Sequence, residues 1–342
     1  MAAPAKVRLV GRRLLQAVPA VVGIVVVTFL LTRALPGDPA VYFAGPAADA
    51  ASIAEIRRQL GLDRSLPVQF LAYLRDLATG DLGMSISTGQ PVISEIVTRL
   101  PASLELTLAA LLLSVGVAVP LGVLAATRPD SWIDHLCRFV VTAGVSLPTF
   151  FTGLALVYVF YYQLGWAPPP MGRLDILSLP PAHLTGFYTV DALIAGNFAA
   201  FGSALAHLAL PALTLALFTL APIARMTRAS MLQALGSDFI RTARAAGLSG
   251  RRVLFVYGFR NAMLPVITTL GMVFSFALGA NVLVEKVFAW PGIGSFAIEA
   301  LIVSDYAAVQ GFVLAMALLF VALNLLIDLL YTLVDPRLRL ED

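Results

Sequence analysis

The chain has 342 residues, of which 59% are hydrophobic and only 13% charged, with a formal net charge of +3. Soluble domains are about half apolar and about a quarter charged, so this balance points to an integral membrane protein and carries no argument for nucleic-acid binding. One cysteine, Cys137, rules out an internal disulfide and a Cys-based metal cluster, and the histidines His135, His183 and His207 are too scattered for a metal site.

A helix that crosses the hydrocarbon core needs about 20 mostly apolar residues. The first apolar run, 14–34, follows Lys6, Arg8, Arg12 and Arg13. It is too long for the apolar region of a secretion signal and lacks a convincing cleavage site, so it reads as an uncleaved span. Residues 35–100 follow, with helical patterns around Ala54–Leu60 and Pro67–Leu77 separated at Gly61, and read as a folded outer segment. Further runs at 102–127, 139–163, 205–224, 262–284 and 310–334 complete six predicted spans. Each is helical because a segment in lipid must satisfy its own backbone hydrogen bonds. Pro19, Pro120, Pro148 and Pro211 fall inside spans and are expected to kink them rather than end them. A second outer segment, 164–204, is rich in aromatics and proline, including Pro168, Pro169, Pro170, Pro180 and Pro181. With the N-terminus inside, fifteen of the 23 Lys and Arg residues fall on the cytoplasmic side, and the rest are spread over much longer outer segments. That bias orients the chain with both termini cytoplasmic. No internal repeat is visible, which disfavours secondary transporters built from repeated halves.

The loop between spans four and five carries RTARAAGLSGRRVLFVYGFRNAMLP (241–265). Ser237 as N-cap and Asp238 in the first turn start a helix. It runs to about Ala246, and Gly247 stands where a left-handed residue ends it. Ser249 caps a second helix running through Val253 and Phe259 toward Pro265. On the first helix Phe239, Ala243 and Ala246 share one face, and Arg241 and Arg244 another. Membrane insertion alone explains the arginines. It does not explain a capped helix, a placed glycine and a small-residue face, which fit docking into a groove on another protein.

DFIRTARAAGLS (238–249), followed by RNAMLP (260–265), resembles the "EAA" cytoplasmic loop of ABC-importer permeases, in the form found in the dipeptide/oligopeptide family. Arg241, Thr242 and Ala243 occupy the Glu-Ala-Ala slots; Phe239 and Ala246 stand where that branch often has Tyr and Lys. The resemblance extends along the chain. RRLLQAVPAVVGIVVVTFLLTRALPGDPA (12–40) is similar to the start of the B-type subunit, and GDLGMSI (80–86) resembles an outer motif. HLALPALTLAL (207–217) resembles the start of span four, and EKVFAWPGIGSFAIEAL (285–301) the outer segment before the last span. SDYAAVQG (304–311), with Ala307 for the usual Pro, and the DPRLR tail (335–339) complete the set. Most are weak singly; together and in order they are specific.

This resemblance implies an all-α, six-helix type I ABC-importer permease fold over 1–342, in a bacterial plasma membrane. The 237–260 loop would hold the coupling helix, with Asp238, Phe239, Arg241, Thr242, Ala243, Arg244, Ala246 and Gly247 facing an ATPase and Arg260, Asn261 and Pro265 as the hinge end. Gly80, Asp81, Gly83, Ser85, Glu285, Phe288, Pro291, Gly292 and Gly294 are candidates for an outer gate or a binding-protein dock. The implied partners are a C-type permease subunit, two ATPases or one fused ATPase, an extracytoplasmic substrate-binding protein, and lipid. The implied cargo is a dipeptide or oligopeptide, with nickel and glutathione as alternatives within the class. ATP and Mg would belong to the ATPases: the lysines Lys6 and Lys286 both lack the GxxxxGK[ST] context of a P-loop. The chain itself is expected to be no enzyme and to hold no cofactor or metal.

Few ionisable groups fall within the spans. Glu105 lies near the outer end of span two and Asp328 in span six. An acid exposed to lipid costs about 2.5–3.5 kcal/mol on insertion scales, so Asp328 either faces a pore and meets a peptide amine or pairs with a neighbour such as Asn324. Tyr158, Tyr161 and Tyr162 suit an interfacial belt. A self-contained channel or secondary transporter would need more intramembrane charge than this, and the outer segments count against an exporter.

Overall fold

The structure, a computed structural model, describes residues 3–34, 38–45 and 48–334. The side chain of Asp328 and the tail at 335–339 lie outside the described residues. Apart from one isolated bridge between Met84 and Pro91, the ordered elements among the described residues are helices. They begin with α1 (Ala3–Ala34), α2 (Pro39–Ala44), α3 (Ala50–Gln59), α4 (Leu66–Ala78) and α5 (Val92–Thr127). Next come α6 (Trp132–Ser146), α7 (Thr149–Leu156), α8 (Tyr188–Ile194), α9 (Phe198–Leu235) and α10 (Asp238–Ala245). The series ends with α11 (Gly250–Arg252), α12 (Arg260–Val287), α13 (Ile293–Ile302) and α14 (Tyr306–Val334). Two π-helical stretches, Val157–Gln163 and Val253–Phe259, extend α7 and join α11 to α12.

Among the described residues, four helical runs are long and apolar enough to cross a membrane: α5, α9, the continuous run Gly250–Val287, and Tyr306–Ile327 of α14. The bent pair formed by α6 with α7 and its π extension makes a fifth if it is one span, and α1 carries an apolar stretch from Val18 to Ala34. The helices overrun the predicted spans. α5 starts at Val92, inside the predicted outer segment, with Pro101 and Pro120 within it. Its 36 residues span about 54 Å at 1.5 Å per residue, more than the roughly 30 Å of a hydrocarbon core.

The prolines behave unequally. Pro19, Pro120 and Pro211 sit inside continuous helices, as expected. Pro148 does not: it breaks the third predicted span. Leu147 before it is extended at φ −106° and ψ 133°, the conformation that the following proline ring imposes.

The chain divides into two units. The first comprises residues up to Pro101 together with Pro291–Ala322, and the second Ala102–Trp290 together with the chain from Leu323. In the first unit Val92 and Ile96 pack with Phe296 and Ala300 of α13 and with Ala308 and Val309 of α14. Phe29 of α1 lies edge-on to Phe70 of α4, and Gln310 donates to Thr32 Oγ1 at 3.0 Å. In the second unit, alanines Ala102 and Ala110 of α5 meet Ala212 and Ala216 of α9 and Ala277 of α12. Small residues let backbones approach closely, which is how helices associate where lipid removes the hydrophobic drive.

Candidate functional site

The cytoplasmic-type loop folds as a helix, a glycine break and a second helix. α10 starts after Ser237, whose backbone is extended at φ −77° and ψ 156°. The Ser237 hydroxyl does not cap α10, however; it donates to Ala234 O at 2.5 Å and closes the end of α9 instead. At the other end Gly247 has φ +76°. Its N–H reaches Arg244 O at 3.0 Å, and the Leu248 N–H reaches Ala243 O at 3.3 Å. These two bonds form a Schellman motif, and only a residue tolerant of positive φ closes it cheaply.

The face carried by Ala243 is corrected. Ala243 and Ile240 are buried with Val253, and Leu248 and Tyr257 pack against them. Ala243 therefore holds α10 to its own chain and is not offered to a partner. The exposed surface includes Asp238, Phe239, Arg241, Thr242, Arg244, Ala246 and Gly247. Ile240 was missed, although its i, i+3 spacing to Ala243 was a usable signal. The Arg241–Asp238 pair, 3.4 Å apart on the surface, contributes little.

The expected hinge end of the loop lies within helix. Arg260, Asn261 and Pro265 are exposed members of one continuous helical run from Gly250 to Val287. Pro265 has no N–H for the carbonyl four residues back. Nearby, Asn261 Nδ2 donates to Tyr257 O at 2.6 Å and Thr269 Oγ1 to Pro265 O at 2.9 Å. The irregular element is the π stretch just before α12, a feature that recurs at functional sites.

In the first unit, GDLGMSI and SDYAAVQG form a single structure. The fully buried Asp305 accepts at Oδ2 from Ser85 Oγ and the Ile86 N–H, both at 2.7 Å, and from the Ser87 N–H at 3.2 Å. Its Oδ1 accepts the Ala308 N–H at 3.1 Å, capping α14. Asp81 Oδ1 accepts the Gly83 N–H at 2.8 Å, shaping the turn that presents Ser85. A Cβ at Gly311 would lie 2.4 Å from Val92 Cγ1, so glycine there lets α14 meet the start of α5. Ser85 is thus tied to an acid that sequence reading passed over, with Asp81 and Gly83 forming the turn before it.

The EKVFAWPGIG segment turns inward. Glu285 is buried and accepts from Ser103 Oγ of α5. Asn281 Nδ2 donates to Ser103 O and to Thr107 Oγ1, each at 3.2 Å, and Trp290 Nε1 to Ala102 O at 2.9 Å. Phe288 is buried beside them. In the first unit Gly292 and Gly294 are buried and only Pro291 is exposed. Glu285, Phe288, Gly292 and Gly294, expected at an outer gate or a binding-protein dock, are therefore buried and offer no exposed docking surface. Glu285, Trp290 Nε1 and Asn281 Nδ2 are bonded within the chain, whereas Asn281 Oδ1 is buried without a hydrogen-bond partner.

Glu105 has an ion-pair partner, Arg173, from the proline-rich segment; both are buried, with N···O 2.5 Å. Glu105 Oε1 also accepts the Thr189 N–H at 2.9 Å and its hydroxyl at 2.6 Å. The Arg173 guanidinium lies 3.6 Å from the Tyr188 ring centroid and donates to Gly186 O at 2.8 Å. At the far end of the same unit, buried Asp134 of α6 binds Arg228 of α9 through two hydrogen bonds and Arg138 through a third. Tyr158 and Tyr162 are exposed and stacked 5.7 Å apart.

Apolar helices long enough to cross lipid, in a chain that is 59% hydrophobic, define an integral membrane protein. The chain belongs to the family of inner-membrane components of binding-protein-dependent transport systems. The family model matches residues 118–340, and the model of the corresponding N-terminal region matches residues 6–107. The chain is similar to the probable D,D-dipeptide transport system permease protein DdpB of Escherichia coli (strain K12), 46% identical over 318 residues that cover 93% of each chain. It is also similar to the dipeptide transport system permease protein DppB of Alkalihalophilus pseudofirmus, 40% identical over 96% of this chain and 98% of that one. The dipeptide transport system permease protein DppB of Escherichia coli (strain K12) is 41% identical over 96% of this chain and 97% of its own. The chain is accordingly an ABC-transport permease, multi-pass in the bacterial plasma membrane.

Proposed function

We propose that this chain is the B-type half of a heterodimeric importer of dipeptides and oligopeptides. It pairs with a C-type permease subunit, receives cargo from an extracytoplasmic binding protein, and is driven by two ATPase subunits or one fused ATPase that hold the ATP and Mg. The peptide assignment is supported by relatives named for dipeptide transport that match over more than nine-tenths of this chain. In this reading six spans cross the membrane, both termini and the 237–260 loop are cytoplasmic, and segments 35–100 and 164–204 are outside. The charge asymmetry of the loops supports that orientation.

The observation that carries the coupling role is the build of α10. Its inner face is locked by Ile240 and Ala243, and its end is closed at Gly247. The outer face of Phe239, Arg241, Thr242, Arg244 and Ala246 is then presented as a rigid surface. A rigid helix seated in an ATPase groove passes motion on, whereas a loose loop would absorb it. The test is Phe239→Asp in the assembled transporter. Phe239 is 44% exposed, so the chain should still fold while substrate-stimulated ATP hydrolysis and labelled-dialanine uptake fall together. Normal stimulation would refute the coupling role. Uptake of glutathione or nickel in place of dialanine would leave the class standing and overturn the peptide assignment.

A further inference from the structure

Near the end of α1, Arg33 carries a guanidinium that its surroundings do not neutralise. Its Nε donates to the neutral Gln69 Oε1 at 2.8 Å. Its Cζ lies 4.9 Å from the ring centroids of both Phe29 and Tyr306, and its Nη1 is buried with no hydrogen-bond partner. Among the described residues no carboxylate pairs with it. A cation withdrawn from water without an anion is costly, so the arrangement calls for an anionic group.

Arg33 lines a cavity of about 610 Å³ within the first unit, inside the range of about 300–1,000 Å³ usual for small-molecule sites. Asp76, Asp81, Tyr73, Tyr306 and Arg64 line the same cavity. Asp76 and Asp81 are exposed and, among the described residues, pair with no arginine or lysine. Asp305 also borders the cavity, but its oxygens are committed to the 85–87 turn and to Ala308. The cavity therefore offers two cations, Arg33 and Arg64, and carboxylates that are not spent on one another. A simple anion satisfies Arg33 and leaves the acids facing negative charge. A ligand carrying both charges satisfies both.

We propose that this cavity is a binding site for a short zwitterionic peptide, with its terminal carboxylate on Arg33 and its α-ammonium on Asp76 or Asp81. This rests on the peptide-importer reading and adds a place where the permease itself reads the two peptide termini. The test uses the complete membrane complex in nanodiscs, without the binding protein, and equilibrium binding of labelled dialanine. Arg33→Met should weaken binding about tenfold or more, the loss of one charge-assisted hydrogen-bonded contact, and Arg33→Lys should recover most of it. Asp76→Asn combined with Asp81→Asn, whose amide oxygen still accepts the Gly83 N–H, should abolish the preference for dialanine over N-acetyl-dialanine. Wild-type affinity in Arg33→Met, or an unaltered preference in the double aspartate variant, would overturn the site. So would binding of phosphatidylglycerol or inorganic phosphate at Arg33 with none of dialanine. A wild-type transporter that takes up no peptide at all, binding protein included, refutes the importer reading. Normal uptake with unchanged binding in Arg33→Met refutes only the site.

Discussion

Gly247 and the Glu105–Arg173 pair show two ways in which one residue holds this protein in shape. A Cβ at Gly247 would meet nothing within 4 Å, so the cost of replacing it is conformational, about 1 kcal/mol for alanine at positive φ. Asparagine tolerates that region better. Gly247→Asn is therefore expected to keep substrate-stimulated ATP hydrolysis, and Gly247→Val to lose it; equal activity in both would show that the Schellman closure does not matter for coupling. The ion pair is a different case, because either charge left alone in the interior is uncompensated. Glu105→Leu or Arg173→Met should each cost about 3–5 kcal/mol, and the two changes combined much less than their sum. Thermal unfolding of the detergent-solubilised protein measures all three, and strict additivity would dismiss the coupling. Gly247 was legible in the sequence because its demand is local. Arg173 was not, since its partner lies 68 residues away and nothing near either residue announces the other.

Among the elements, the apolar helices and the helix–glycine–helix loop follow directly from composition, periodicity and capping residues. What those signals could not rank was the prolines. Pro211 and Pro148 look alike in an apolar run, yet one sits inside a continuous helix and the other separates two. The difference shows in the residue before each ring: Leu147 is extended, whereas Leu210 lies inside α9. The proline-rich segment holds a further element device. Fully buried Asp191 of α8 accepts from the Thr185 N–H at 2.8 Å, the Thr185 hydroxyl at 2.7 Å and the Gly186 N–H at 2.9 Å. Burial pushes its pKa up, but the Thr185 hydroxyl and the amides of Thr185, Gly186 and Leu184 more than offset that and hold it below the ordinary carboxylate value. A depressed folded pKa stabilises fully above the unfolded value of about 3.9, and the contribution is lost as pH falls through the folded value. Hydrogen exchange should accordingly find the Thr185 and Gly186 amides protected from neutral pH down to about 4 and exposed only below it. Loss of protection already at pH 5 to 6 would contradict this.

For the whole molecule, orientation is the property most open to direct measurement. Cys137 is fully buried, so the native chain gives little background to thiol reagents. Leu177→Cys, at a position 93% exposed, should react with a membrane-impermeant maleimide in intact cells. Arg251→Cys, exposed in α11, should react only after permeabilisation. Labelling of both from one side would overturn the topology. Composition, charge bias and ordered motifs were sufficient by themselves to determine the class of protein, its helical content and the shape of its coupling-type loop, because each rests on interactions within a few residues or on a chain-wide average. Only the tertiary structure decided that Ala243 faces inward, that Glu285 is buried, and that Asp305 ties together motifs about 220 residues apart. Whether a given side chain is surface or interior depends on which distant helix covers it, and no local pattern carries that information.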